Sequence, residues 1–168
     1  MVFSLAVFTT EISGRTSAGS SDLVQYVDPW IGSGGHGHVF VGASVPYGMV
    51  QLGPSNSYKG WDWSSEYHYS DNVIIGFAHT HLSGTGCNDL GDILLMPMNE
   101  IQTEQGDRKD GSNGYASTYS HKNEVVRPYY YSVLLDKYQI RAELTATARV
   151  GLHRYTYPSG KPSYLLLD

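Results

Sequence analysis

The sequence predicts an all-β protein built from antiparallel sheets, and three observations carry that prediction. First, residues 140–152 alternate strictly. Ile140, Ala142, Leu144, Ala146, Ala148, Val150 and Leu152 are apolar, and Arg141, Glu143, Thr145, Thr147 and Arg149 between them are polar. A period of two over such a length marks a long strand buried on one face. Second, two short apolar runs, Val73-Ile74-Ile75 and Ile93-Leu94-Leu95, are too short for stable helices and read as buried strands. Third, the 168 residues include 14 tyrosines and 19 glycines; tyrosine favours strands and glycine favours turns.

The chain opens on a short apolar run, residues 2–8, followed by small and polar residues. A secretory signal has a basic start and a longer apolar core. Residues 1–22 therefore read as a leader or the remnant of a signal, and as an untied terminus it is expected to lack order. No run reaches the roughly 20 apolar residues needed to span a membrane. The net charge of −5 and the lack of a Lys/Arg cluster argue against nucleic acid. The single cysteine excludes an internal disulfide and a multi-cysteine zinc site.

Residues 28–52 read DPWIGSGGHGHVFVGASVPYGMVQL. The glycine-rich part, with Gly34 and Gly35, has no following helix and no Lys-Ser/Thr ending, so it is not a nucleotide loop. His36, His38 and Phe40 alternate, and a strand here would place all three on one face. His36 with His38, and His79 with His81, have the spacing of strand-borne metal pairs. No fixed metal motif links the two pairs, and the expectation is hydrogen-bonded histidines and no zinc. Further on, Trp61 and Trp63 flank Asp62, and Glu66 follows. In an extended segment both indoles share a face. Indoles beside carboxylates suit a sugar or cation site, or equally a hydrophobic lid over a β core.

Between the two apolar runs lies GFAHTHLSGTGCNDLGD, residues 76–92. Polar groups on a loop held by core strands form a common binding surface, although such groups also serve to satisfy their own turn. Asp89 and Asp92 are close enough in sequence to imitate a catalytic pair, but carboxylates so placed more often cap turns. Residues 98–127 read as a loop-like insertion, and 129–136 return to strand. Asp136-Lys137-Tyr138 form the hairpin turn into the alternating strand. Tyr164-Leu165-Leu166-Leu167 begins a further apolar strand. A domain rarely ends inside a core strand, so the chain is expected to be truncated at its C-terminus.

Three stretches, DPWIGSGGHGHVFVGASVPYGMVQLGP, GFAHTHLSGTGCNDLGDILLMP and YYYSVLLDKYQIRAELTATARVGLHRYTYP, together resemble the N-terminal domain of glycoside hydrolase family 92, the exo-acting α-mannosidases. The resemblance runs from about Tyr26 to the end. It implies an antiparallel β-sandwich over residues 23–168, preceding an (α/α)6-barrel domain that is missing here. It also implies a calcium-dependent, inverting hydrolysis of α-mannosidic bonds in N-glycans or mannans, outside the cytoplasm. The acid, the base and the calcium ligands of the family are expected in the helical domain, so this chain carries no catalytic and no metal residue. Carried onto matching loops, Trp61 and Trp63 become apolar platforms for the sugar. His79, His81, Cys87 and Asp89 become polar contacts, with Gly34, Gly35, His36 and His38 as a supporting loop. Trp30 stands where the family often has phenylalanine, and Asn88 follows the cysteine. The expected partners are a mannose-containing glycan and the helical domain. A stand-alone, lectin-like carbohydrate-binding module is the alternative.

Overall fold

The computed structural model describes residues 23–168; the leader, residues 1–22, lies outside the described residues. After a 3-10 turn, Leu23–Tyr26, the described chain is all strand and loop apart from two further 3-10 turns. Ten strands follow: β1 (Ala43–Ser44), β2 (Gln51–Asn56), β3 (Val73–Ala78), β4 (Leu95–Met98), β5 (Ser117–Thr118), β6 (Val125–Arg127), β7 (Tyr130–Leu135), β8 (Ile140–Ala146), β9 (Gly151–Thr156) and β10 (Tyr164–Leu167).

They form two antiparallel sheets. One has the order β1-β2-β3-β4-β10, with β5 pairing to the start of β3, and the other has the order β6-β7-β8-β9. Their inner faces share one core. Leu52, Ile74, Phe77 and Met96 of the first sheet meet Tyr131, Val133, Leu135, Ile140, Ala142 and Leu144 of the second. Cross-strand partners Tyr131↔Leu144, Val133↔Ala142 and Leu135↔Ile140 share a face, so one register buries all six. Each fully buried side chain of this size contributes about 1.5–3 kcal/mol. The sandwich expected from the resemblance is the architecture observed.

Three sequence expectations change. The alternating run is not one strand: β8 ends at Ala146 and a turn at 147–150 returns the chain as β9. Thr147 N donates to Val150 O at 2.9 Å, and Thr147 Oγ1 accepts from Val150 N at 3.1 Å. A hydroxyl that caps its own turn outweighs the alternating pattern. The turn also reverses the faces. His153 pairs with Leu144 and Tyr155 with Ala142, so these point inward, while Val150 and Leu152 are exposed. Second, the strand expected at Ile93 starts at Leu95. Ile93 has φ +58° and is exposed. Third, residues 98–127 are not simply an insertion, since they supply β5, β6 and the buried Glu124.

Glu124 sits between the sheets. Tyr131 Oη donates to it at 2.6 Å and Tyr67 Oη at 3.3 Å, and His121 Nδ1 lies 2.6 Å from its second oxygen. Burial raises its pKa, and these hydrogen bonds oppose the rise. The group therefore locks the tyrosine-rich part of the core by hydrogen bonding as well as packing.

Candidate functional site

The WDW segment is a 3-10 turn, Trp61–Trp63, and not an extended piece. Gly60, at φ +136°, opens it, Trp63 N donates to Gly60 O, and Ser64 Oγ donates back to Trp61 O at 2.7 Å. This turn separates the two indoles. Trp61 is 56% exposed. Trp63 is half-buried, donates its Nε1–H to Asp71 Oδ2 at 2.7 Å and stacks on His68 at 4.4 Å. The shared face expected of the pair is absent, because a 3-10 turn does not alternate sides.

Three loops converge on Trp61. Asp62 accepts from His36 Nδ1 at 2.6 Å, and His38 Nε2 lies 3.5 Å from the same oxygen. The His36 hydrogen bond is the main reason the Asp62 carboxyl is held below its usual range. His38 is buried, and its Nδ1–H donates to Thr85 O at 2.6 Å, which fixes the tautomer. Its carbonyl accepts from Gly84 N at 2.7 Å. Its ring stands edge-on to Trp61 at 4.2 Å. On the other side a Cβ on Gly86 would lie 2.4 Å from the Trp61 indole nitrogen, so only glycine lets that loop close against the ring. The loops at 34–38, 61–63 and 79–89 singled out in the sequence are thus physically joined.

The strand expected at 36–40 does not form. Gly35 (φ +57°) and His38 (φ +52°) break the extended backbone. His36 is exposed while His38 is buried, and Phe40 stacks on His81 at 5.0 Å. Gly34 backs onto Tyr69, and Gly35 O accepts from His68 Nε2 at 3.1 Å.

His79 and His81 go to separate partners. His81 is buried, donates Nδ1–H to Gln51 O at 2.7 Å, and is pushed down to about pKa 4 by burial. His79 donates Nδ1–H to Ile93 O at 3.0 Å. Its Nε2 then accepts from His153 Nε2–H at 3.2 Å, and His153 Nδ1 accepts from Tyr155 Oη at 2.7 Å. This chain of hydrogen bonds links β3 to β9. His153 is also pushed down to about pKa 4, by burial and then by His79. Buried His81 and half-buried His79 thus spend their ring nitrogens on Gln51, Ile93 and His153. Cys87 and Asp89 are exposed on the loop, and among the described residues Asp89 has no hydrogen-bond partner.

Sequence reasoning noted Glu66 only as a carboxylate following the indoles and gave it no role of its own. It adopts φ +64°, a conformation uncommon outside glycine, and its carboxyl is largely buried. Ser55 Oγ donates to Oε2 at 2.7 Å, and His81 Nε2 lies 3.7 Å away. A Cβ on Gly91 would sit 2.1 Å from Oε1. Burial raises the pKa of Glu66, Ser55 opposes the rise and Asp92 adds to it. The only sequence signal was its place after the indoles. Among the described residues no group of three or more His, Cys, Asp or Glu gathers to hold a metal.

Comparison with known proteins fits this geometry. The profile of the glycosyl hydrolase family 92 N-terminal domain matches residues 26–168. A family 92 α-mannosidase from Bacteroides thetaiotaomicron, solved with mannoimidazole, is 40% identical with a TM-score of 0.84, over 88% of this chain and 20% of its own. An uncharacterized secreted glycosidase of Arthroderma benhamiae is 30% identical over 88% of this chain and 20% of its own length. A second Bacteroides thetaiotaomicron protein, a family 92 inverting mannosidase, is 24% identical over 89% of this chain and 20% of its own, with a TM-score of 0.67, and speaks for the fold alone. The chain spans about one fifth of the length of these relatives. With its matched profile, its two-sheet fold and its joined loops, the chain belongs to glycosyl hydrolase family 92, as the N-terminal domain.

Proposed function

We propose that this chain is the N-terminal part of an exo-acting α-mannosidase that releases mannose from N-glycans or mannans with inversion. The observation that carries the reading is the exposed Trp61, held between His38 and Gly86 by three converging loops in a chain 40% identical to a family 92 α-mannosidase. An exposed indole held rigid by its neighbours offers a flat apolar face to a sugar ring at little entropic cost. Asp62, kept ionised by His36, accepts hydroxyl hydrogen bonds beside that face. Cys87 and Asp89 lie on the exposed loop that Gly86 brings against the ring, and in this reading they are its polar contacts.

The general acid and base belong to the helical domain of the intact protein in this reading. So do the calcium ligands, as the resemblance implies, and no step is assigned to calcium here. An extracellular or periplasmic location is supported by the secreted glycosidase among the relatives.

The test is hydrolysis of an aryl α-mannoside by the intact protein, followed by proton NMR and repeated after chelation. The expected result is initial release of β-mannose, lost on chelation and regained with calcium. Release of α-mannose, or no turnover with calcium present, would overturn the reading. Hydrolysis by the isolated 168 residues, abolished in Asp89→Asn, would instead place the acid and base in this domain.

A further inference from the structure

We propose that the pocket beside Glu66 is a second carbohydrate subsite, separate from the Trp61 platform, that takes one neutral pyranose ring. The pocket holds about 270 Å³ and is lined by Ser55, Tyr58, Trp63, Glu66, Asn88 and Gln105, among others. That is just below the range of about 300–1,000 Å³ typical of drug-sized ligands, which suits a single small ring.

Its chemistry is that of hydroxyl recognition. Glu66 Oε2 is taken by Ser55, but Oε1 has no hydrogen-bond partner among the described residues. Gly91 lies so close to Oε1 that any larger residue would displace the carboxyl. Gln105 spends its amide N–H on Ser57, which leaves its carbonyl oxygen as an acceptor. Asn88 is exposed on the loop with its amide uncommitted among the described residues. Trp63 and Tyr58 supply the apolar surface. The left-handed backbone of Glu66, φ +64°, closes the turn after Trp63 and ties it to β2, with Glu66 N donating to Trp63 O at 2.9 Å and Asn56 N donating to Glu66 O at 2.6 Å, and this fixes where the carboxyl sits.

Charge decides the ligand class. The Glu66 carboxylate disfavours an anionic ring, and the Arg108 guanidinium, also in the lining, disfavours a cationic one. A neutral polyol uses both kinds of group: its hydroxyls donate to Glu66 and Gln105 and accept from Asn88 and Arg108. The assignment of the ring as mannose rests on the function proposed above; the existence of the subsite does not.

The test is calorimetric titration of the intact protein with methyl α-thiomannoside, whose sulfur link resists hydrolysis. Two rings per chain are expected. Trp61→Ala should abolish one binding event. Glu66→Gln should weaken the other by about tenfold or more, the loss of a charge-assisted hydrogen bond. Asn88→Ala should weaken that same event and serves if Glu66→Gln does not fold. A single event, removed by Trp61→Ala and untouched by Glu66→Gln and Asn88→Ala, would overturn the subsite. A single event that responds to Glu66→Gln but not to Trp61→Ala would sustain it while removing the platform. Turnover of aryl α-mannoside, assayed separately, tests the proposed function without reference to this pocket.

Discussion

Trp61 and Trp63 are two residues apart yet do different work. Trp61→Ala in the intact protein should lower kcat/KM for α-mannosides about five- to a hundredfold, since aromatic stacking contributes roughly 1–3 kcal/mol. Its melting temperature should change little, because the ring is exposed. Trp63→Ala breaks the bond to Asp71 and the stack on His68, and should cost about 2–3 kcal/mol of stability, read by urea unfolding. Steady-state kinetics beside unfolding curves separates the two roles; equal activity loss with equal stability would reject the division.

Buried histidines set a pH limit at the same scale. His81 and His153 have folded pKa values of about 4 against 6.5 for the free group. A depressed folded value means that the unfolded chain takes up protons first. The stability is therefore complete above pH 6.5 and falls as the pH drops from there toward 4. The loss is on the order of 3 kcal/mol for fully buried His81 and smaller for His153, which solvent partly screens. His81→Asn, whose amide can still donate to Gln51 O, should flatten this fall between pH 7 and 4.5 in urea titrations. An unchanged slope would show that His81 is not buried as a neutral ring.

At the scale of elements, loops and turns hold the site and their glycines act as spacers. Gly86→Ala would drive a methyl into the Trp61 indole. It should reproduce the kinetic loss of Trp61→Ala and shift tryptophan fluorescence, with a native far-UV spectrum. The turn after β8 depends on Thr147. Thr147→Ala removes the acceptor of the Val150 N–H and should cost about 1 kcal/mol, visible as a lower melting temperature. The pattern in 140–152 showed that strand structure was there, and the first half is strand β8 as read. It concealed the turn, because apolar Ala148, Val150 and Leu152 keep the rhythm although the chain has reversed and they point outward.

For the whole molecule, the edge of the larger sheet stands out. β10 pairs with β4, and its Leu165 and Leu167 are exposed, as is Ile93 just before β4, next to Leu94, which bonds to Asp168. An apolar edge strand invites pairing with another chain. The 168 residues expressed alone should self-associate in sedimentation velocity, and Leu167→Lys should shift them toward monomer without unfolding. A monomer of the unaltered chain at high concentration would count against this edge being sticky.

The sequence by itself determined the fold class and the family, because both reside in local patterns: the short apolar run of β3, the period-two alternation of β8, and long ordered motifs that keep their spacing. It also named the three loops of the candidate site. Tertiary structure alone decided which residues of those loops do what. The two indoles part because Gly60 and Ser64 close a turn between them. The histidine pairs part because Asp62 and Thr85 take one, and Gln51 and Ile93 take the other. Glu66 is a buried carboxyl only because Ser55 on β2 and Gly91 beyond β3 fold over it. These partners lie far apart in the chain, and burial and hydrogen-bond satisfaction are properties of that long-range packing, which no local pattern records.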